Sequence, residues 1–306
     1  MSRRGLILFA LLSVLWGIPY LLIKLAVVEV SVPFLVFARS AVGALALLPA
    51  AFVQGGFARL REHWLAVAAF STAEMVIPWA LIAHGELSID SSTAGLLIAL
   101  TPIVTVVIAS ATGGSESIGI GRVTGLGLGF AGVFVLAAPT AGGDLIAICE
   151  ILLAAMCYAL GSIIAARWLS DVPAATLTSA CLLLAAILYA APAAHGWPTS
   201  VPSSTAISAI VGLGVFCTAL AFAAFFLLVR EVGPERAVVI TYVAPAIAVA
   251  AGVILLNEPL DTRMIAAFAL ILGGSYLATG RNSSVGAAIS KSKTEATQVK
   301  RQEING

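Results

Sequence analysis

Residues 91–137 read SSTAGLLIALTPIVTVVIASATGGSESIGIGRVTGLGLGFAGVFVLA, and residues 234–280 read PERAVVITYVAPAIAVAAGVILLNEPLDTRMIAAFALILGGSYLATG. Each stretch passes from small residues into an apolar run with a proline in its middle (Pro102, Pro245). A second apolar run, a glutamate (Glu116, Glu258) and a Gly-rich apolar segment follow. The prolines stand 143 residues apart and the glutamates 142. Upstream, Trp16 matches Tyr158 at 142 residues and Pro33 matches Pro173 at 140. Landmarks in the same order at a near-constant offset mark a duplicated unit. The expected division is a first repeat over 1–140, a second over 141–281, and a polar tail over 282–306, rich in Ser, Thr and Lys and expected to be disordered.

Composition sets the solvent. Of 306 residues, 60% are apolar and 10% charged, with a mean hydropathy of +1.08. A soluble domain carries roughly 25% charged residues, so this chain cannot cover a surface in water and is expected to be a polytopic membrane protein. A bilayer core of about 30 Å takes about 20 apolar helical residues. That ruler marks ten spans, near 5–26, 32–53, 63–84, 91–111, 119–138, 143–166, 173–192, 206–229, 235–256 and 262–280. The runs are unbroken rather than alternating, which selects helices over a barrel. The links between them (EVSVP, QGGFARLREH, TGGSES, PTAGGD, HGWPTSVPSST, REVGPE, NEPLDT) hold the turn formers and charges. The N-terminal run is too long for a signal-peptide core and reads as a retained first helix.

Basic residues orient the chain. With a cytoplasmic N-terminus, ten spans put 13 of the 16 Lys and Arg inside; Arg263 falls in an outer loop, and Lys24 and Arg39 lie within spans. Five spans per half is odd, so the halves enter the membrane from opposite sides. The expected fold is all-α: ten transmembrane helices as two inverted five-helix repeats, in the cytoplasmic membrane, with both termini cytoplasmic. Inverted repeats are typical of secondary transporters, whose substrate site lies near the midplane between them.

LWGIPYLLIK in the first span, LTP and VAP in the fourth and ninth, NEPL after the ninth, and Gly-rich fifth and tenth spans carry a likeness. Over roughly residues 5–280 the chain resembles the ten-helix EamA-like transporters of the drug/metabolite transporter superfamily. The resemblance implies two five-helix bundles around a central cavity, alternating access without nucleotide hydrolysis, and export of amino acids or related metabolites. The first half departs from the pattern: GGSESIG lacks the fuller form of NEPL, which weakens any special role for Glu116.

Candidate site residues follow from polar groups placed in apolar spans. A charge at the bilayer centre costs about 2.5–3.5 kcal/mol, so Glu74 is expected to face protein or water. It shares a helix face with Ser71 and Pro78, the expected cavity wall. Its two functional roles are a ligand for a substrate amine and a carrier of a coupling proton; the structural alternative is a protonated carboxyl bonded to a neighbouring helix. Trp79 lies well round the helix from Glu74 and is a further cavity candidate. Lys24 is explained by snorkelling. Arg39, two turns into its span, is expected to meet a substrate carboxylate or a protein acid, with Glu150 at matching depth. Trp16, Tyr20, Tyr158 and Tyr242 are mid-membrane aromatics with polar handles, suited to an amphipathic solute, or else belt and packing residues. For Trp16 the resemblance adds that the first-span Trp-Gly faces the centre. Pro102 and Pro245 kink their helices and free carbonyls at mid-depth, as hinges, solute ligands or plain kinks.

Other motifs carry less. GLGFAG at 127–132 matches Gly-x-Gly-x-x-Gly, but no strand precedes it, as a dinucleotide site requires. Gly121, Gly125 and Gly129 instead give small-residue spacing for close helix contact, within a protomer or between two. No His or Cys spacing suits a metal, no phosphate loop is present, and neither a cofactor nor nucleic acid is expected. The partners expected are the lipid bilayer and a small organic solute. The rival readings are a membrane-embedded enzyme, for which no clustered catalytic set is found, and a non-transporting assembly subunit.

Overall fold

The structure is a computed structural model that describes residues 2–111, 120–137, 144–233, 237 and 239–279. Glu116 and the tail 282–306 lie outside the described residues. All regular structure among the described residues is helical. Numbered in chain order, seven helices are long and apolar enough to cross a membrane: α1 (Arg3–Val27), α2 (Val32–Val53), α3 (Trp64–Gly85), α4 (Ser91–Ile108), α6 (Leu145–Trp168), α7 (Ala174–His195) and α8 (Ser204–Val232). Three shorter apolar helices are α5 (Ile120–Leu136), α9 (Ile240–Leu256) and α10 (Thr262–Ala278). Each of the ten apolar stretches of the sequence holds one of them, with ends shifted by a few residues. Ile7, Phe134, Ile187 and Ile254 are each at least two-thirds exposed, which fits a surface bathed in lipid rather than water.

Local chemistry starts and interrupts the helices. Ser2, Ser31, Asp144 and Ser203 cap α1, α2, α6 and α8 by accepting from Gly5, Phe34, Ile146 and Ala206 main-chain N–H groups. Prolines enforce breaks, because a proline cannot donate to the carbonyl four residues back. α1 is interrupted at Ile18, before Pro19, and α4 at Ala99–Leu100, before Pro102. In α3, Pro78 cannot bond the Glu74 carbonyl, and the chain widens into a π turn at Thr72–Val76, where the Ile77 N–H reaches the Thr72 carbonyl five residues back. α8 has a π turn of its own at Val215–Leu220, held by the Thr218 hydroxyl donating to the Leu213 carbonyl at 2.8 Å. The turns open at Thr72 and Val215, the same 143-residue separation as the two prolines. The expected kink at Pro102 is present as a break; α9 runs through Pro245 as one helix.

Helix pairing repeats in the same way. α2 packs on α7, α4 on α9 and α5 on α10; α3 lies against α6 and α7, and α1 and α2 lie against α8; α4 also meets α6, and α1 meets α9. Exchanging the two halves maps this set onto itself. Links between loops fall at two ends. At the end where α1 finishes, called distal, Ser31 Oγ donates to Gly196 O at 2.7 Å, the Ser203 N–H to Glu29 Oε2 at 2.7 Å, and Lys24 to the α3–α4 turn. At the proximal end His63 faces Asp171 at 3.4 Å and Ser2 donates to Glu231 at 2.5 Å.

Two contacts hold this arrangement most tightly. α5 and α10 touch main chain to main chain: a Cβ added at Gly125 would fall 2.6 Å from the Gly274 carbonyl oxygen, and one at Gly274 would fall 2.6 Å from the Gly125 oxygen. At the distal end Asn257 takes the left-handed conformation (φ 56°) and turns Glu258 onto the N-terminus of α4. One carboxylate oxygen accepts the Ser91 N–H (2.8 Å) and hydroxyl (2.7 Å); the other accepts the Ser92 N–H (2.9 Å) and hydroxyl. Burial works against this charge, but the four hydrogen bonds outweigh it and hold the Glu258 carboxyl below its ordinary value of 4.5.

Gly125→Ala and Gly274→Ala are each expected to lower stability by about 1–3 kcal/mol through overpacking, read as a drop in melting temperature in detergent. Gly273→Ala, with nothing within 4 Å of the added carbon, is expected to be neutral or better. Glu258→Ala is expected to cost about 2–4 kcal/mol, because charged hydrogen bonds contribute about 1.5–3 kcal/mol each and do not add fully. The folded-state value of Glu258 is depressed. Its contribution is therefore complete above the ordinary carboxylate value and is lost as pH falls through the lowered one. The native protein is expected to lose melting temperature below pH 4.5, and Glu258→Gln to lose that part of the acid response.

Candidate functional site

Arg39 is the centre of the polar interior. It stands two turns into α2 from the distal end and is 7% exposed. Its guanidinium lies 3.6 Å from the Trp79 ring centroid, a desolvated stacking contact worth about 2 kcal/mol. Its Nε donates to Thr218 Oγ1 at 3.4 Å. Among the described residues its terminal N–H groups have no acceptor. The Tyr158, Tyr20, Cys217 and Glu86 side chains stand within its electrostatic reach, and the Trp79 indole lies beside the Tyr158 hydroxyl. Tyr158 also borders both large apolar cores, one built mainly from α1, α4, α6 and α8 and the other from α2, α3 and α7. The cluster therefore sits on the seam where helices of both halves meet.

The helix interruptions explain the placement. Tyr20 follows the α1 break, Pro78 and Trp79 follow the α3 π turn, and Thr218 lies within the α8 π turn. A wider turn rotates the residues that follow it, and π turns are often found at functional sites. Trp79, which helical geometry separates from Glu74, is thus brought onto Arg39.

Glu74 lies inside the α3 π turn, half buried, against α6. A Cβ at Gly161 would fall 2.5 Å from Glu74 Oε2, so the glycine makes the room that the carboxylate occupies. Tyr158, Cys157 and Cys181 are its electrostatic neighbours, and no hydrogen bond holds its carboxylate among the described residues. On the same face, Ser71 is buried and donates to the Cys181 carbonyl at 2.9 Å, and Pro78 is buried.

One expectation needs correction, and three further residues have partners of their own. Glu150 does not pair with Arg39: it meets His84 Nδ1 at 2.9 Å, because α3 rather than α2 lies beside the distal part of α6. Lys24 reaches the α3–α4 turn at the distal end, where its Nζ donates to the carbonyls of Glu86 (2.6 Å) and Ile89 (2.8 Å). Trp16 packs against Phe225 and Phe222, with ring centroids at 5.1 and 6.1 Å, in a separate apolar cluster of α1 and α8. Tyr242 donates to the Ser275 carbonyl at 3.2 Å and meets the Tyr276 ring. Of the sequence candidates, Tyr20, Arg39, Trp79 and Tyr158 come together, and Glu74 and Pro78 flank them. Pro102 and Pro245 belong to the α4–α9 layer.

Two residues near Arg39, one bonded to it and one within its field, escaped sequence reasoning. Thr218 reads as one more small residue in an apolar span. Glu86, in AHGELSID at the exit of α3, reads as an ordinary loop charge, yet it is 0% exposed. The signal available was a span-end acid that falls at the same end of the helices as Lys24, a span-end base.

Comparison with known proteins bears on the whole chain. The EamA-like transporter family profile matches it twice, over residues 3–138 and 145–280. An uncharacterized transporter of Archaeoglobus fulgidus is 31% identical over 197 residues, 63% of this chain and 69% of that one. The uncharacterized transporter YvbV of Bacillus subtilis is 27% identical over 299 residues, covering 94% and 95% of the two chains. A solved crystal structure shares the fold with a TM-score of 0.64 at 22% identity, over 91% of this chain and 97% of the other. The profile covers nearly the whole chain in its two matches, and seven of the helices are long and apolar enough to cross a membrane. This is a multi-pass membrane protein that belongs to the EamA-like transporter family.

Proposed function

We propose that the protein is a secondary transporter that moves small organic solutes, amino acids or related metabolites, across the cytoplasmic membrane by alternating access, in the direction of export. The ten helices all span, as two inverted five-helix repeats over 1–140 and 141–281, with both termini cytoplasmic. The observation that carries the reading is Arg39. It is a buried cation on the seam between the halves, stacked on Trp79, with terminal N–H groups that no described residue accepts.

An unspent buried guanidinium suits a carboxylate, which it binds through two parallel hydrogen bonds. The rings of Tyr20, Trp79 and Tyr158 suit the apolar part of the same solute. Glu74 stands within the electrostatic reach of Tyr158, placed to hold a solute ammonium or a coupling proton. The distal loops are bonded to each other and the distal links include buried ones, which supports a conformation closed at that end. Rocking of the halves would break those links and open it.

The test is flux in proteoliposomes with a panel of amino acids and organic acids. The native protein is expected to move a carboxylate-bearing solute. Arg39→Gln is expected to raise its KM about 10- to 100-fold, the equivalent of one charged hydrogen bond at about 1.5–3 kcal/mol. Glu150→Gln, removed from the cluster, is expected to leave KM unchanged. Flux that ignores Arg39→Gln would retire the site, and flux that ignores Glu74→Gln would take Glu74 out of the mechanism.

A further inference from the structure

Glu86 is enclosed in an unusual way. Its residue is 0% exposed, and both carboxyl oxygens are sealed from water without a hydrogen-bond donor among the described residues. The groups that face it come from three directions. Lys24 and Tyr20 stand on α1, Arg39 on α2, and Glu258 on the link between α9 and α10. None of the bases completes an ion pair. Lys24 spends its ammonium on the main-chain carbonyls of Glu86 and Ile89, and Arg39 is stacked on Trp79. A bare carboxylate enclosed without donors is among the costliest groups to bury, and such a group neutralises instead. Burial pushes the Glu86 carboxyl well above its ordinary value; Lys24 opposes the shift, Glu258 adds to it and Arg39 opposes it.

We propose that Glu86 is a proton-binding site, and that the proton it holds accompanies closure of the distal end. The turn that carries Glu86 is one of those that fasten this end. Lys24 ties its carbonyls to α1, and Glu258 ties the next residues, Ser91 and Ser92, to α9 and α10. Loss of the proton to distal water would leave a negative charge beside the Lys24 ammonium. A carboxylate sealed from water without donors is costly to keep, so the deprotonated side chain favours a turn opened to distal water, where it is hydrated. Only the O–H bond breaks, and the proton goes to water. The consequence for transport rests on the transporter reading above. Of the two roles open to Glu74, it moves the coupling proton to Glu86 and leaves Glu74 to the solute.

The site is tested first without flux. Infrared difference spectra of the protein in liposomes, native minus Glu86→Gln, are expected to show the carbonyl stretch of one protonated carboxyl at neutral pH. If the band is missing from the difference, the proposal is overturned whether or not any solute moves. Should Glu86→Gln not fold, Glu86→Leu serves the same subtraction, since replacing a donorless carboxyl by an apolar side chain is well tolerated. In the second arm, Glu86→Gln is expected to keep solute exchange but lose accumulation driven by a pH gradient, the inside-to-outside ratio collapsing to one. Accumulation equal to that of the native protein overturns the coupling. If the native protein moves no solute of the panel, the transporter reading falls, while the infrared arm still decides the proton site.

Discussion

Main-chain hydrogen bonding in lipid is the constraint on which the rest depends. A bilayer offers an exposed N–H or C=O group no partner, so every crossing segment must be a helix that satisfies itself. Departures from the regular ladder then need a stated cause, and each one here has it. Pro19, Pro78 and Pro102 remove donors from α1, α3 and α4, and the Thr218 hydroxyl takes over a carbonyl in α8. These departures bring polar groups together: Tyr20 follows the first, Glu74 and Trp79 belong to the second, and Thr218 creates the last. The polar interior is assembled where the ladder yields, which is the only place in the membrane where a helix can redirect its side chains without exposing its backbone to lipid.

Charge is handled with the same economy. Glu258 is accepted into the interior because four donors surround it, and Arg39 because an aromatic face and a hydroxyl receive it. Lys24 is satisfied by carbonyls rather than by an acid. Opposite charges in this region are near one another without pairing, so the local field is balanced while individual groups keep bonding capacity. A fully paired network would be more rigid and would have nothing left to offer a solute.

Much of the fold was legible because hydrophobicity along a membrane chain is read in one dimension. Apolar length marked the ten helices, and prolines and glutamates at a near-constant offset pointed to a duplicated unit; the family profile matches the chain twice. Depth was legible for the same reason, which is why Arg39 and Glu74 were picked out as interior polar groups. Lateral neighbours were not. Arg39 and Glu150 are matched in depth, yet α3 and not α2 lies beside that part of α6, so Glu150 belongs to His84. Trp16 and Tyr158 are equivalent by count, but only Tyr158 reaches Arg39, since Trp16 turns to the phenylalanines of α8. The π turn that swings Trp79 round could not be read from helical periodicity, because it is a departure from that periodicity. Glu86 was passed over because a charge at a span boundary reads as solvated, and nothing in its spacing reveals that the α1 and α9–α10 segments fold over it.

The seam between α5 and α10 limits how this chain can change. Gly125 and Gly274 already carry the smallest side chain available, and what each faces is backbone. Elsewhere in a packed interior, an enlarged residue can be accommodated by trimming its neighbour. Here no neighbour can be trimmed, so second-site suppressors of a substitution at either glycine have to act by moving a whole helix, and the two positions cannot drift as a compensating pair.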